Sequence, residues 1–286
     1  MSIVSYDRKL DICEQPSWGL IEYNENLSNN KEISIIERAV KVNPNEKNSQ
    51  IFLTESLKYS EHKELFMLID YTQATLNALT GLRDLTSLEW YVIPLLAIVF
   101  YIYAIELKKA RTTGNWDIIS CGLTVFGMDF FNETWNGWVM VLTNRSAFWT
   151  TPGETALRVM VGWNIEIIFM FLINGIVFAY MLEKDEKKRI LGIPNRWFYA
   201  VVLAAFCVII EVLLNVANVL IWEYPFWNRS FGGVWLIFLI GYFHFYVACI
   251  LILKIKNLKK SFMAIGAIYS VAILMNIIAA IAGWVY

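Results

Sequence analysis

DIISCGLTVFGMDFFNETWNGWVMVLT, residues 117–143, is the stretch that decides the fold. As a helix it rises about 40 Å, more than the ~30 Å of a hydrocarbon layer. A backbone crossing lipid must satisfy its own hydrogen bonds, so a helix is forced. The stretch is not uniformly apolar, however. Asp129, Asn132, Glu133 and Asn136 recur at i, i+3, i+4 and i+7, which puts all four on one face. A spanning helix with such a stripe must turn it away from lipid.

Working outward, five more apolar stretches have spanning length: 90–107, 157–182, 197–222, 231–254 and 262–286. The whole chain agrees with them. Of its 286 residues 57% are hydrophobic and 17% charged, with mean hydropathy +0.48. Soluble domains lie nearer 45–50% apolar and 25% charged. Disordered, collagen-like and coiled-coil chains are excluded, and an ordinary soluble enzyme with them. Trp90, Trp116, Trp197, Trp222 and Trp284 sit near span ends, where an aromatic belt belongs.

The connections alternate in charge. Loops 108–116, 183–196 and 254–261 hold most of the basic residues beyond residue 90; the opposite side has Arg145, Arg158 and Arg229. The positive-inside rule therefore puts those loops in the cytoplasm and the C-terminus outside. Six spans would leave the polar tail, residues 1–62, outside as well, with no signal peptide to move it. A further span over ELFMLIDYTQATLNALTGL (64–82) removes that conflict. The expectation is an all-α polytopic membrane bundle of about seven helices over 63–286. The tail ahead of it is cytosolic or surface-lying, with a short helix at 31–42 and a break at 43–50.

Four acids lie deep in spans: Asp129, Glu133, Glu166 and Glu211. Facing lipid unpaired, they would together cost on the order of 10 kcal/mol. They are expected to face the bundle interior and one another. A second stripe, Glu211, Asn215 and Asn218, has spacing i, i+4, i+7. Asn164 and Glu166 stand about 200° apart on their helix, so one of the two faces the site, and Glu166 is the costlier to misplace. His244 lies mid-span on a fourth helix. Estimated depths agree, giving a pocket near the bilayer centre with its mouth on the non-cytoplasmic side.

A protonated carboxyl in an apolar pocket can protonate an alkene or epoxide, and a second carboxylate can accept a proton later. Aromatic faces stabilise the intervening positive charge. The expected function is thus acid–base isomerisation or cyclisation of a hydrophobic, isoprenoid- or lipid-like small molecule dissolved in the bilayer. Asp129 or Glu133 is the expected proton donor, Glu166 or Glu211 the base, and His244 a relay. Trp135 and Trp163 would line the pocket, with Asn132, Asn136, Asn164, Asn215 and Asn218 holding the acids and substrate. A small helical bundle with paired acids and many aromatics resembles the integral-membrane terpene cyclases in type, with no motif of theirs matched residue by residue.

The alternative is a proton- or cation-coupled transporter using the same carboxylates. Against it, Pro94 is the single proline well inside a span, and no inverted repeat is visible. A carboxylate-rich metal site is the third reading, weakened by a supply of two histidines, His62 and His244. No nucleotide loop, no G-x-S-x-G elbow and no mid-span lysine is present. The four cysteines are scattered. No cofactor, no metal and no nucleic-acid partner is expected, the net charge being −1.

Overall fold

The structure, a computed structural model, describes residues 70–286. The tail 1–62, with its expected short helix, and the first residues of the 64–82 stretch lie outside them.

The chain enters through a short helix α1 (Gln73–Leu79). Thr72 caps its start, accepting from the Thr75 amide (3.3 Å), and Thr80 ends it with extended backbone. Its rise is about 10 Å. Polar contacts pin it to the connections at one end of the bundle. The Thr72 amide donates to Arg145 O (3.0 Å), the Thr72 hydroxyl to Glu223 Oε2 (2.5 Å), and the Arg83 amide to Arg158 O (2.8 Å). The continuous helix expected over 64–82 is therefore not formed: threonine side chains compete for the backbone at positions 72 and 80.

Six long helices follow: α2 (Val92–Thr113), α3 (Asp117–Thr143), α4 (Ile165–Met181), α5 (Asn195–Val216), α6 (Phe231–Lys254) and α7 (Leu258–Ile281). Among the described residues α5, α6 and α7 combine the length and hydropathy needed to cross a membrane, and α4 is a shorter apolar helix. Gly114, with φ of 73°, stops α2 in the left-handed conformation that glycine tolerates. Within α6 the turns widen to a π-helix over Ile237–Phe243.

Helix α3 is the hub, with α4, α6 and α7 packed against it. Small residues permit the approach. A Cβ on Gly175 of α4 would collide with the Cys121 carbonyl of α3, the close packing by which membrane helices associate. Large apolar side chains remain on the outer faces, including Phe100, Phe206 and Ile281.

Short strands close one end of the bundle. β1 (Trp149–Thr150) pairs antiparallel with β6 (Ile221–Trp222), setting Trp149 opposite Trp222. β2 (Arg158–Met160) pairs with β3 (Trp163–Asn164). At the opposite, lysine-rich end β4 (Arg189–Ile190) and β5 (Ile193–Pro194) form a hairpin. Arg158 staples the strand end together: its buried guanidinium donates to Thr151 O (3.0 Å), Thr80 O (2.7 Å) and Gly153 O (2.5 Å).

Two expected spans are shorter than the sequence suggests. The 157–182 stretch starts as the β2–β3 hairpin, and α4 begins where Asn164 accepts from the Ile167 amide (2.9 Å). The 197–222 stretch leaves the helix after Val216, where Asn218 takes φ of 57° and the Asn215 amide holds Leu220 O (3.0 Å). Asparagine is suited to both tasks, as a cap and as a left-handed residue.

Candidate functional site

Beneath the strand end lies a cavity of about 120 Å³. Asp129 and Glu133 from α3 and Glu211 from α5 line it, each no more than 4% exposed. Further wall comes from Phe171 of α4 and Tyr242 of α6, and no Lys or Arg contributes.

Each acid is held by an indole from the strand layer. Trp163 Nε1 donates to Asp129 Oδ2 (2.8 Å), Trp149 Nε1 to Glu133 Oε1 (2.9 Å), and Trp222 Nε1 to Glu211 Oε1 (2.8 Å). The β1–β6 pairing thus sets the holders of Glu133 and Glu211 directly across from each other. Trp163 is fixed in turn, stacked between Phe126 and Phe130 at 5.9 and 5.5 Å. Tyr242 lines the cavity beside Glu211. An indole donates and never accepts, so these contacts orient the acids without taking protons from them.

Two polar atoms in the cavity wall are left over. Glu133 Oε2 and Trp227 Nε1 are buried with no hydrogen-bond partner of good geometry. The Asn136 amide nitrogen, one turn along from Glu133, donates one N–H to Trp149 O (2.8 Å), and its second N–H stands beside Glu133 without a hydrogen bond of good geometry. Buried polar atoms are seldom left unpaired. The cavity thus offers an acceptor and a donor that a hydroxyl or water could meet.

The mouth is sideways. Trp149, Leu220 and Trp227, all nearly buried, close the strand end, whereas Met170 of α4 and Phe206 and Leu214 of α5 line the cavity and are 43%, 57% and 36% exposed. Bulky indoles thus fill the strand end, and the exposed part of the lining lies on α4 and α5.

Other expected residues take different places. Glu166 does not line the cavity. It accepts from the Tyr91 hydroxyl, the Thr155 hydroxyl (2.5 Å) and the Ala156 amide (3.0 Å) near the start of α4. The late start of α4 puts it in the first turn, where local donors satisfy it. His244 is also absent from the wall, although its Nδ1 is buried without a partner. Trp135 is 37% exposed and packs on Phe148 (6.0 Å), on the outer face of α3. Asn164 is a cap and Asn218 a turn residue, neither in the wall.

Asn132 and Asn136 stand on the stripe with the acids. Asn132 lines the cavity and donates to Gly241 O (3.3 Å) and Ile240 O (3.4 Å) in the π-helix. Asn136 grips β1, its Oδ1 accepting from the Phe148 amide (2.8 Å). Asn215 serves the turn that delivers Trp222. Among the described residues no three His, Cys, Asp or Glu side chains are grouped to hold a metal ion.

Sequence reasoning missed Trp149, Trp222, Trp227, Tyr242 and Gly162. Trp222 read as a belt residue, and the strand pairing with Trp149 turns both inward. Gly162 has a visible reason. A Cβ there would stand 2.7 Å from Glu133 Oε2 and 2.6 Å from the Trp149 ring.

Residues 72–281, from the cap of α1 to the end of α7, match a family described as an uncharacterized membrane protein family. The chain belongs to that family. A protein of Archaeoglobus fulgidus, described as an uncharacterized protein, is 42% identical over 215 residues, covering 75% of this chain and 99% of the relative. No solved structure matches. With its family and its long apolar helices, this is a mostly helical membrane protein, embedded in a lipid bilayer.

Proposed function

We propose that this membrane protein carries out acid–base chemistry on an apolar molecule dissolved in the bilayer, at the cavity walled by Asp129, Glu133 and Glu211. The observation that carries the reading is the unpartnered Glu133 Oε2 in the wall of a cavity that holds two further carboxylates and no cation. Three such acids cannot all stay ionised in hydrocarbon, so protons are held among them.

The simplest reaction is a double-bond shift. The Glu133 carboxyl gives its proton to one alkene carbon, the π electrons forming the new C–H bond. The resulting cation faces the aromatic wall of Trp227, Phe171 and Phe245. The Glu211 carboxylate then takes a proton from the adjacent carbon, whose C–H electrons rebuild the double bond. Net, one proton has moved from Glu133 to Glu211, and exchange between the acids restores the start. Asp129, one turn from Glu133, supplies the nearest route for that exchange. Glu166, His244 and Trp135 have no part in this scheme.

The test is a comparison of lipid extracts by mass spectrometry and NMR from cells with and without the chain. An isomerised apolar product that disappears with Glu133→Gln supports the reading. Unchanged extracts, or a product indifferent to both Glu133→Gln and Glu211→Gln, would remove it.

Cation-coupled transport has one specific observation in its favour. The π-helix beside the acids is a departure from regular helix of the kind that ion-binding transporters use. Uptake into proteoliposomes driven by a pH or Na⁺ gradient would select it.

For topology, we place six crossings between Val92 and Ile281, with the lysine-rich loops in the cytoplasm and α1, the strand layer and Tyr286 outside. Labelling of Lys187 by an impermeant reagent from the cytoplasmic side alone checks this.

A further inference from the structure

We infer that the cavity receives the tail end of a membrane-dissolved chain, entering sideways between α4 and α5, and not a phosphate or carboxylate head group. What happens to that end rests on the acid–base reading; its binding does not.

Three independent observations support this. The first is the position of the mouth. Its exposed residues, Met170, Phe206 and Leu214, come from α4 and α5 alone, and all are apolar. Phe206 lies at the middle of α5 and Met170 within about 5 Å of the middle of α4, while Leu214 stands about 13 Å from the middle of α5 toward the strand end, at 1.5 Å per residue. The opening therefore runs from mid-helix toward the strand end, and its deeper part faces the zone where lipid chains end, about 15 Å from either head-group layer.

The second is size. A cavity of about 120 Å³ is close to the roughly 150 Å³ that encloses one benzene. It admits a unit of about five or six carbons. A longer substrate must leave the remainder of its chain in the bilayer, which the sideways mouth allows.

The third is charge. Three carboxylates and no Lys or Arg line the space, so a phosphate or carboxylate head would meet like charge with nothing to neutralise it. The unpaired groups in the wall, one acceptor on Glu133 and one donor on Trp227, could meet a hydroxyl or water. The chemical class is thus an uncharged unsaturated chain terminus, with room for one small polar group beside it.

The experiment uses two isomeric photoreactive single-chain lipids, in phosphatidylcholine vesicles holding the full chain. One carries its diazirine at the terminal carbon, the other next to the head group. Adducts are located by peptide mass spectrometry; carboxylates trap such reagents well, so Asp129, Glu133 and Glu211 report entry directly. The terminal probe should label these acids about tenfold more than the head-proximal probe, equivalent to ~1.4 kcal/mol of preference. Phe206→Trp and Met170→Trp should each cut that labelling severalfold, while adducts on the exposed face of α7 at Ile277 and Ile278 stay constant as the control for folding and insertion. Equal labelling by both probes, or labelling of the outer faces with none in the cavity, would overturn the inference. The wild-type comparison needs no substitution. A terminal-specific adduct in a protein that alters no lipid would defeat the proposed reaction and leave the entry route standing.

Discussion

Glu166 and Glu133 are the same residue type on adjacent helices, and their surroundings part company. Glu166 sits in the first turn of α4 and receives three donors, Tyr91, Thr155 and the Ala156 amide. Glu133 sits in the strand-end half of α3 and receives one indole, leaving Oε2 without a hydrogen bond of good geometry against the cavity. Giving both oxygens a donor makes a carboxylate a structural anchor; withholding one leaves a carboxyl able to carry a proton. The difference teaches that burial of an acid in a membrane bundle does not by itself mark a site. The unspent atom does.

The sharpest break of this comparison is to neutralise each acid in turn. Glu133→Gln should lower product formation by at least about 100-fold, in keeping with loss of a general acid, with little change in thermal stability in detergent. Glu166→Gln should do the reverse. It weakens an acceptor of three donors, at about 1.5–3 kcal/mol for hydrogen bonds to a charged group, seen as a lower melting temperature with product formation within about twofold. If Glu166→Gln abolished the product at unchanged stability, the contrast drawn above would be wrong.

Smaller changes sharpen it. Trp149→Phe removes one indole N–H while keeping most of the ring's bulk, and should cost about 1–3 kcal/mol because it leaves Glu133 with a second unpaired oxygen. Product formation falls with it through misplacement of the acid. Trp222→Phe should act in parallel on Glu211, more mildly, since Glu211 has no oxygen already buried without a partner, as Glu133 has. The smallest effect belongs to Trp135→Ala. That exposed ring touches no acid, so stability and product formation should move by no more than about 0.5 kcal/mol.

Much of the bundle was legible in the sequence because lipid imposes a simple rule on it. Long apolar runs have to be helices, and the stripe Asp129, Asn132, Glu133, Asn136 has to face inward. Glu211 was legible for the same reason. Legibility failed wherever a short polar side chain redirected the backbone. Asn164 delays α4 and so leaves Glu166 in its first turn, away from the cavity wall. Asn218 ends α5 early and cancels its own place on the second stripe. Thr72 and Thr80 bound α1 inside the expected 64–82 helix. Each is a local hydrogen bond that competes with helical periodicity, and periodicity alone carries no information about who wins.

By itself the sequence determined that the chain lives in a membrane, which stretches are helical and which helix faces are polar, since these follow from the cost of exposing charge and backbone to hydrocarbon. Only the tertiary structure decided which acids meet, which tryptophans turn inward to hold them, and that the cavity opens between α4 and α5. Those outcomes depend on pairings between residues distant in the chain, such as Trp149 with Trp222, and a pairing energy is a property of two places at once.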